Sequence, residues 1–402
     1  MRMLTKENML FGAAGFAVFA LNSIFLTFSV LFFNEAGYSE SQIGFMLSAT
    51  VLLSMVSQVL TGYLCDNVIT IKKIVFLDII VSVAAVLLMI PAKNSYLALF
   101  ALYGAYSLTG RMASNLIDSY ITRVAQRRSA LDFGFTRGIS SIGWGFASLF
   151  GGWLIRGLGI HMMFVLHTIF GVLAAVIVLL LEDVPLAKKQ APGGKESEGL
   201  LASASAVFRL PGFMLTTFAC LLIFLGVNTP HPYFSLIVVA VGGDSSDVGL
   251  GIFLLAVSEV PLLWNFYRLA GRVKDSHMIL CSIAMYVVKA ILLLSFQTVE
   301  GVVWIQAMQG VTYALFLPSI LRFMQTLLPE RYMTTGIMLW VAIYNSGSQI
   351  LGSLLGGFLL EHYGFVPLYY ILGSLAIVGG CMMAYVMKRY GGESKNNKAV
   401  EA

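Results

Sequence analysis

Charge is scarce in this chain. Its 402 residues include 25 Lys and Arg and 20 Asp and Glu, so charged side chains make up 11%, against about 25% in ordinary soluble domains. That scarcity argues against a soluble globule. Cysteine is equally sparse: Cys65, Cys220, Cys281 and Cys381 stand within or at the ends of apolar runs and form no CxxC pair, which argues against a disulfide framework or a zinc site. No phosphate-binding loop, catalytic triad or flavin fingerprint occurs, so ATP-driven pumping, enzyme chemistry and a cofactor are not expected. The N-terminus offers a short basic stretch followed by about 25 apolar residues with no small-residue cleavage site, too long for a signal-peptide core and expected to stay as a first span. The formal net charge of +5 is dispersed between apolar runs rather than gathered in one patch, which argues against a nucleic-acid partner.

Apolar residues are what the chain has in abundance. Hydrophobic side chains reach 58%, mean hydropathy is +0.85, and runs such as 160–181 and 276–296 are long enough to cross a bilayer. Twelve such stretches are predicted, near 9–33, 41–65, 72–91, 95–124, 132–157, 160–181, 211–240, 246–270, 276–297, 300–328, 331–361 and 365–387. Helix is the expected form, because a span in hydrocarbon must satisfy its own backbone hydrogen bonds and these segments lack the alternation of a membrane barrel. With both termini inside, only Lys93 and Arg156 of the basic residues fall outside, and Arg111, Arg137 and Lys289 fall within spans; the rest lie on the inner side, as the positive-inside rule requires. The expected protein is therefore all-α and multi-pass in the inner membrane, with lipid as its surroundings. Residues 182–210 read as a cytoplasmic linker between an N-terminal six-helix bundle, 1–181, and a C-terminal one, 211–387, with 388–402 as a cytoplasmic tail. Two six-helix halves are the plan of secondary transporters whose substrate site lies near the midplane.

Ionisable groups inside spans are costly and need a partner or a cavity. Asp118 lies five residues before Arg123, and Arg137 five after Asp132, so across the intervening turn the two are expected at matching heights, able to pair. Arg111 and Trp144 stand seven residues further along on each helix. Glu259 lies nine residues from Arg268 and Lys289 twelve from His277, roughly 14–18 Å deep at 1.5 Å per residue. Each pair reads either as a salt bridge that locks helices together or as part of a binding site. Trp144 beside buried charge suits the apolar face of a sugar ring, with Asp118, Arg111 and Arg137 on hydroxyls. His231 falls between Pro230 and Pro232, where the helix must break, and reads as either a binding or a packed histidine. Gly62, Asp66, Lys72 and Lys73 fill the turn between spans two and three.

The stretch from Asp118 through Asp132 and Arg137 to Trp144 resembles the helix 4–5 signature of lactose-permease-type major facilitators, the oligosaccharide:proton symporters. The spacing from Arg137 to Trp144 matches that family without a gap, and Asp118 stands where the permease has a glutamate. Gly62, Asp66, Lys72 and Lys73 resemble the superfamily's loop 2–3 gating motif, with Asn67 in place of the usual basic residue, and 356–365 continues the likeness. The resemblance implies the major facilitator fold and alternating access, with Asp118 and Arg137 on sugar hydroxyls and Trp144 on the ring. Departures fall in the second half: the permease's helix-ten histidine and glutamate align with Gln309 and Thr312, its helix-eleven lysine with Asn345, and Lys289 stands where it has an arginine. Glu259 and Lys289 are then the expected proton-coupling pair, with His231 and Asn345 as further substrate contacts. The expected function is sugar or glycoside transport with proton symport by a monomer. The alternatives are an exporter of sugars or amphipathic drugs, a nucleoside or aromatic-acid carrier, and a membrane sensor.

Overall fold

A computed structural model describes residues 5–127, 131–183, 200–210 and 212–390. The described residues are helical, in the order α1 Lys6–Glu35, α2 Glu40–Asn67, α3 Ile71–Ala92, α4 Tyr96–Leu108, α5 Gly110–Arg127, α6 Phe133–Leu158, α7 Met162–Leu180, α8 Leu200–Phe208, α9 Phe213–Asn228, α10 Phe234–Ala240, α11 Ser245–Ala270, α12 Asp275–Ser295, α13 Val299–Trp304, α14 Leu315–Leu327, α15 Met333–Val341, α16 Gly347–Tyr363 and α17 Val366–Tyr390. Side-chain caps begin several of them. Thr5 accepts from the Asn8 amide, Ser39 and Gln42 form a capping box, and Asp132 accepts from the Phe135 amide, each satisfying an orphan donor of a first turn.

Among the described residues, nine helices are long and apolar enough to cross a membrane. Four predicted spans are not continuous helices; one is 211–240, where α9 ends at Asn228 and α10 starts at Phe234. The span at 95–124 breaks at Thr109, whose hydroxyl donates back to the Ala105 carbonyl at 3.0 Å, a competing bond that bends helices. Gly110 follows because a Cβ there would lie 2.4 Å from Ser82 Oγ. The span at 300–328 passes through a 3-10 turn, Ile305–Met308, and a π turn, Gly310–Ala314. Pro318 stands four residues beyond Ala314 and has no N–H to offer that carbonyl. The span at 331–361 contains a second π turn, Ala342–Ser346. Within the expected linker, Leu200–Phe208 is helical; residues 184–199, like 391–402 of the expected tail, lie outside the described residues.

The described residues form two compact units. The first holds those up to 183 together with Phe234–Val257 and Thr298–Gln306; the second holds those of 200–233, Ser258–Gln297 and those of 307–390. In the first unit α1 is the central helix, packed most extensively on α6 and α7. Glycine makes the α1–α6 contact close: a Cβ at Gly143 would sit 2.5 Å from the Phe16 carbonyl oxygen, and one at Gly15 2.1 Å from Ser140 Oγ. Ser23 Oγ then reaches the Trp144 carbonyl at 2.7 Å and Ser148 Oγ at 2.5 Å. In the same unit α6 and the start of α11 meet backbone to backbone at Gly152 and Gly249, where Ser245 Oγ donates to the Gly152 carbonyl at 3.0 Å. Arg156 pairs with Asp244 at 3.0 Å beside this contact. In the second unit α9 packs on α17 and α16. Gly352 and Gly356 let α16 lie against the broken end of α9, since Cβ atoms there would fall within 2.7 Å of the Asn228 and 2.4 Å of the Thr229 carbonyl oxygens.

Candidate functional site

The site in the first unit grows from two short signals. Asp132 caps α6, and its own amide donates to Asn8 Oδ1 at 2.8 Å, which ties the start of α6 to the start of α1. Arg137 follows one and a half turns later. Its Nε lies 3.2 Å from Asp118 Oδ2 on α5, with the two side chains 39% and 24% exposed, and its Nη1 donates to Ser141 Oγ at 2.9 Å. The expected pairing of heights across the α5–α6 turn is thus present as an ion pair. Asp118 Oδ1 is buried and has no hydrogen-bond partner among the described residues. Of the five N–H groups a guanidinium carries, these contacts occupy two. The cluster therefore holds an unsatisfied carboxylate acceptor, buried in this conformation, beside further guanidinium donors, the complement of a hydroxyl that both donates and accepts.

Aromatic rings complete it. Phe19 of α1 lies under the guanidinium, with Arg137 Cζ 4.5 Å from the ring centroid, and meets Trp144 edge-on at 6.4 Å and 72°. Trp144 is half-buried. Arg111 stands two helical turns before Asp118 on α5, within electrostatic reach of Tyr103 and Tyr106. The structure thus brings together Asp118, Arg137 and Trp144 and adds Phe19 and Ser141. Ser141 is legible after the fact as the i+4 neighbour of Arg137; Phe19 carries no local signal.

The second unit holds the other predicted residues. Lys289 is buried, at 7% exposure, and lies within electrostatic reach of half-buried Glu259 and of exposed His231. The helix does break at the two prolines: α9 ends at Asn228 and a 3-10 turn runs from His231 to Tyr233. Asn345 sits in the second π turn, its Oδ1 accepting from Gln349 Nε2 at 2.9 Å. Thr312, in the first π turn, donates to the Met308 carbonyl at 3.0 Å, and its own carbonyl accepts from Ser282. Beside Glu259, Ser258 Oγ accepts from the Gly310 amide at 3.1 Å.

At the turn between α2 and α3, Lys72 Nζ donates to the carbonyls of Leu179 at 2.9 Å and Leu181 at 2.5 Å. These are terminal acceptors of α7, and a cation there also meets the negative end of the helix dipole. Lys73 is exposed, a Cβ at Gly62 would touch nothing within 4 Å, and the side chain of Asp66 lies outside the described residues. One histidine that sequence reasoning passed over, His167, is fully buried on α7. Its Nδ1 faces the Leu21 carbonyl at 3.0 Å and its Nε2 faces Ser82 Oγ at 3.3 Å. A carbonyl only accepts, so the proton sits on Nδ1, and the ring is a satisfied core group.

Comparison with known proteins places this architecture. The chain is 26% identical over 373 residues to the maltose permease of Geobacillus stearothermophilus, covering 92% of each. It is 25% identical over 387 residues to the uncharacterized transporter YwbF of Bacillus subtilis (strain 168), covering 93% of this chain and 91% of that one. The crystal structure of the nucleoside transporter NupG shares its fold, with a TM-score of 0.82 at 15% identity over 96% of this chain and 100% of the other. The family model for the MFS_1 like family matches residues 12–371. The chain belongs to that family and is a major facilitator transporter with an all-helical, multi-pass fold.

Proposed function

We propose that the protein moves a sugar or glycoside across the inner membrane by alternating access between two six-helix bundles, 1–181 and 211–387, with both termini cytoplasmic. The observation that carries the substrate class is the Asp118–Arg137 cluster: one carboxylate oxygen without a partner, a guanidinium with donors to spare and a half-buried indole beside them. Hydroxyls suit the polar pair and the ring suits Trp144. A relative named for maltose, similar over nearly the whole chain, supports the same class. Asp118, Arg137 and Trp144 are the substrate contacts of the first half, with Arg111 near them on α5; His231 and Asn345 serve in the second half. Proton symport would fall to Glu259 and Lys289, since Gln309 and Thr312 do not titrate. The α2–α3 turn, with Gly62, Asp66, Lys72 and Lys73, would take part in gating.

Counterflow into proteoliposomes with maltose, glucose, uridine and an aromatic acid tests this directly. The expected result is maltose or glucose exchange that Asp118→Asn abolishes while the melting temperature stays within a few degrees. Uridine exchange alone would make the protein a nucleoside carrier. Binding without flux would make it a sensor, and maltose exchange untouched by Asp118→Asn would remove the cluster from the substrate site. Glu259→Gln is expected to stop uphill accumulation while sparing exchange; uphill accumulation at the parent rate would clear Glu259 of coupling.

A further inference from the structure

Phe19 is 7% exposed on α1 and touches both polar and aromatic members of the Asp118 cluster. One face of its ring is covered by the Arg137 guanidinium at 4.5 Å, and its neighbour on α6 is the Trp144 ring. The covered face cannot also stack on a ligand, and at 7% exposure the ring offers little other surface to one. What it can do is hold the guanidinium. The bonds to Asp118 Oδ2 and Ser141 Oγ anchor two N–H groups of the guanidinium; the ring beneath Cζ adds a third hold on the cation, because the ring quadrupole attracts it. The ring is in turn held in place. Gly15 and Gly143 bring α1 and α6 to backbone contact, and Ser23, one turn from Phe19, donates to the carbonyl of Trp144 itself.

From this arrangement we infer that Phe19 is a positioning residue for substrate: it fixes the Arg137 guanidinium so that its remaining donors and Asp118 Oδ1 face one ligand hydroxyl, and it sets the Trp144 ring edge-on beside them. The inference rests on the reading of the Asp118 cluster as the substrate site. An ordinary packing role makes a different demand. Any apolar side chain of similar volume would fill the space, whereas only an electron-rich ring face would hold the cation.

Graded fluorination of Phe19 separates the two, because fluorine weakens the ring quadrupole with little change in volume. Mono-, di- and trifluorophenylalanine are placed at position 19 of the full-length protein, with Phe19→Leu as the aliphatic variant and Phe19→Trp as the aromatic one. The rate of phenylglyoxal modification at Arg137, read by peptide mass, reports the guanidinium without any ligand, and maltose counterflow reports the site. The expected result is a stepwise rise in Arg137 reactivity and in the KM for maltose along the fluorine series. The KM should reach about fivefold for the trifluoro protein, the factor that a contact of about 1 kcal/mol implies, with the maximal rate and melting temperature unchanged. Phe19→Leu should match the trifluoro protein and Phe19→Trp should restore the parent KM. Arg137 reactivity that stays flat across the series overturns the inference whatever maltose does. Rising reactivity with a flat KM, in a protein whose exchange Asp118→Asn abolishes, overturns the role toward substrate alone. A KM indifferent to Asp118→Asn removes the cluster from the substrate site and the inference with it.

Discussion

Replacing Gly249 with leucine is the sharpest test of how the first unit moves. In this conformation α6 and α11 touch so closely that a Cβ on Gly249 would lie 2.3 Å from the Ser148 carbonyl oxygen, and one on Gly152 2.3 Å from that of Ser245. Carbon and carbonyl oxygen meet at about 3.3 Å, so any side chain at 249 must push the helices apart by roughly 1 Å. That movement also strains the 3.0 Å bond from Ser245 Oγ to the Gly152 carbonyl. Overpacking of this kind costs about 1–3 kcal/mol. On the proposed alternation of two six-helix bundles, α6 lies in the first and α11 in the second, so this contact would hold in one state and release in the other. The cost then falls on the present conformation alone, and the population ratio should shift by about 5- to 150-fold toward the other state. Spin labels at Leu158 and Val241, in a background with the four cysteines replaced, give the distance distribution by pulsed dipolar spectroscopy. Gly249→Leu is expected to move it to longer distances. Gly157→Leu, on the facing helix α6 with nothing within 4 Å of its Cβ, should leave it where it was. Overlapping distributions for Gly249→Leu and the parent, both folded, would refute the idea that this contact is tied to the conformational state.

Three further outcomes follow from charges at the ends of helices. Asp244, in the loop before α11, loses some hydration by partial burial, but the hydroxyl and amide of Ser246 and the Arg156 guanidinium outweigh this and hold its carboxyl below the ordinary carboxylate value. A depressed carboxyl stabilises above its unfolded value and loses that contribution as pH falls through the folded one. The Leu158–Val241 distances should therefore be constant from about pH 8 to pH 5 and lengthen only in stronger acid. Because Arg156 and Asp244 are 63% and 39% exposed, Asp244→Asn should cost no more than about 1 kcal/mol, and a melting temperature lower by ten degrees or more would contradict this. Lys72→Met should lower stability by about 1–2 kcal/mol through two lost charge-assisted bonds to the end of α7, whereas exposed Lys73→Met should be neutral; equal thermal shifts for the two would count against the capping role.

The scarcity of charge and the apolar runs determined the membrane class and the helical form, because a span in hydrocarbon has no other means of satisfying its backbone. Spacing from the helix ends was enough to set Asp118 and Arg137 at one height, since rise per residue is constant and the turn between them is short. Prolines at 230 and 232 were legible as a break for the same local reason, the missing N–H. Tertiary structure alone decided the rest. Phe19 joins the cluster from a helix about a hundred residues away in sequence, and nothing around it distinguishes it from the other phenylalanines of α1. The breaks at Thr109, Gly310–Ala314 and Ala342–Ser346 lie inside runs apolar enough to read as single spans, because hydropathy measures solvent preference and is blind to which carbonyl an N–H selects. The value of Gly152 and Gly249 likewise depends on which backbone stands opposite them. A glycine next to empty space, as at Gly62, and a glycine pressed against a carbonyl are the same letter, and only the folded chain separates them.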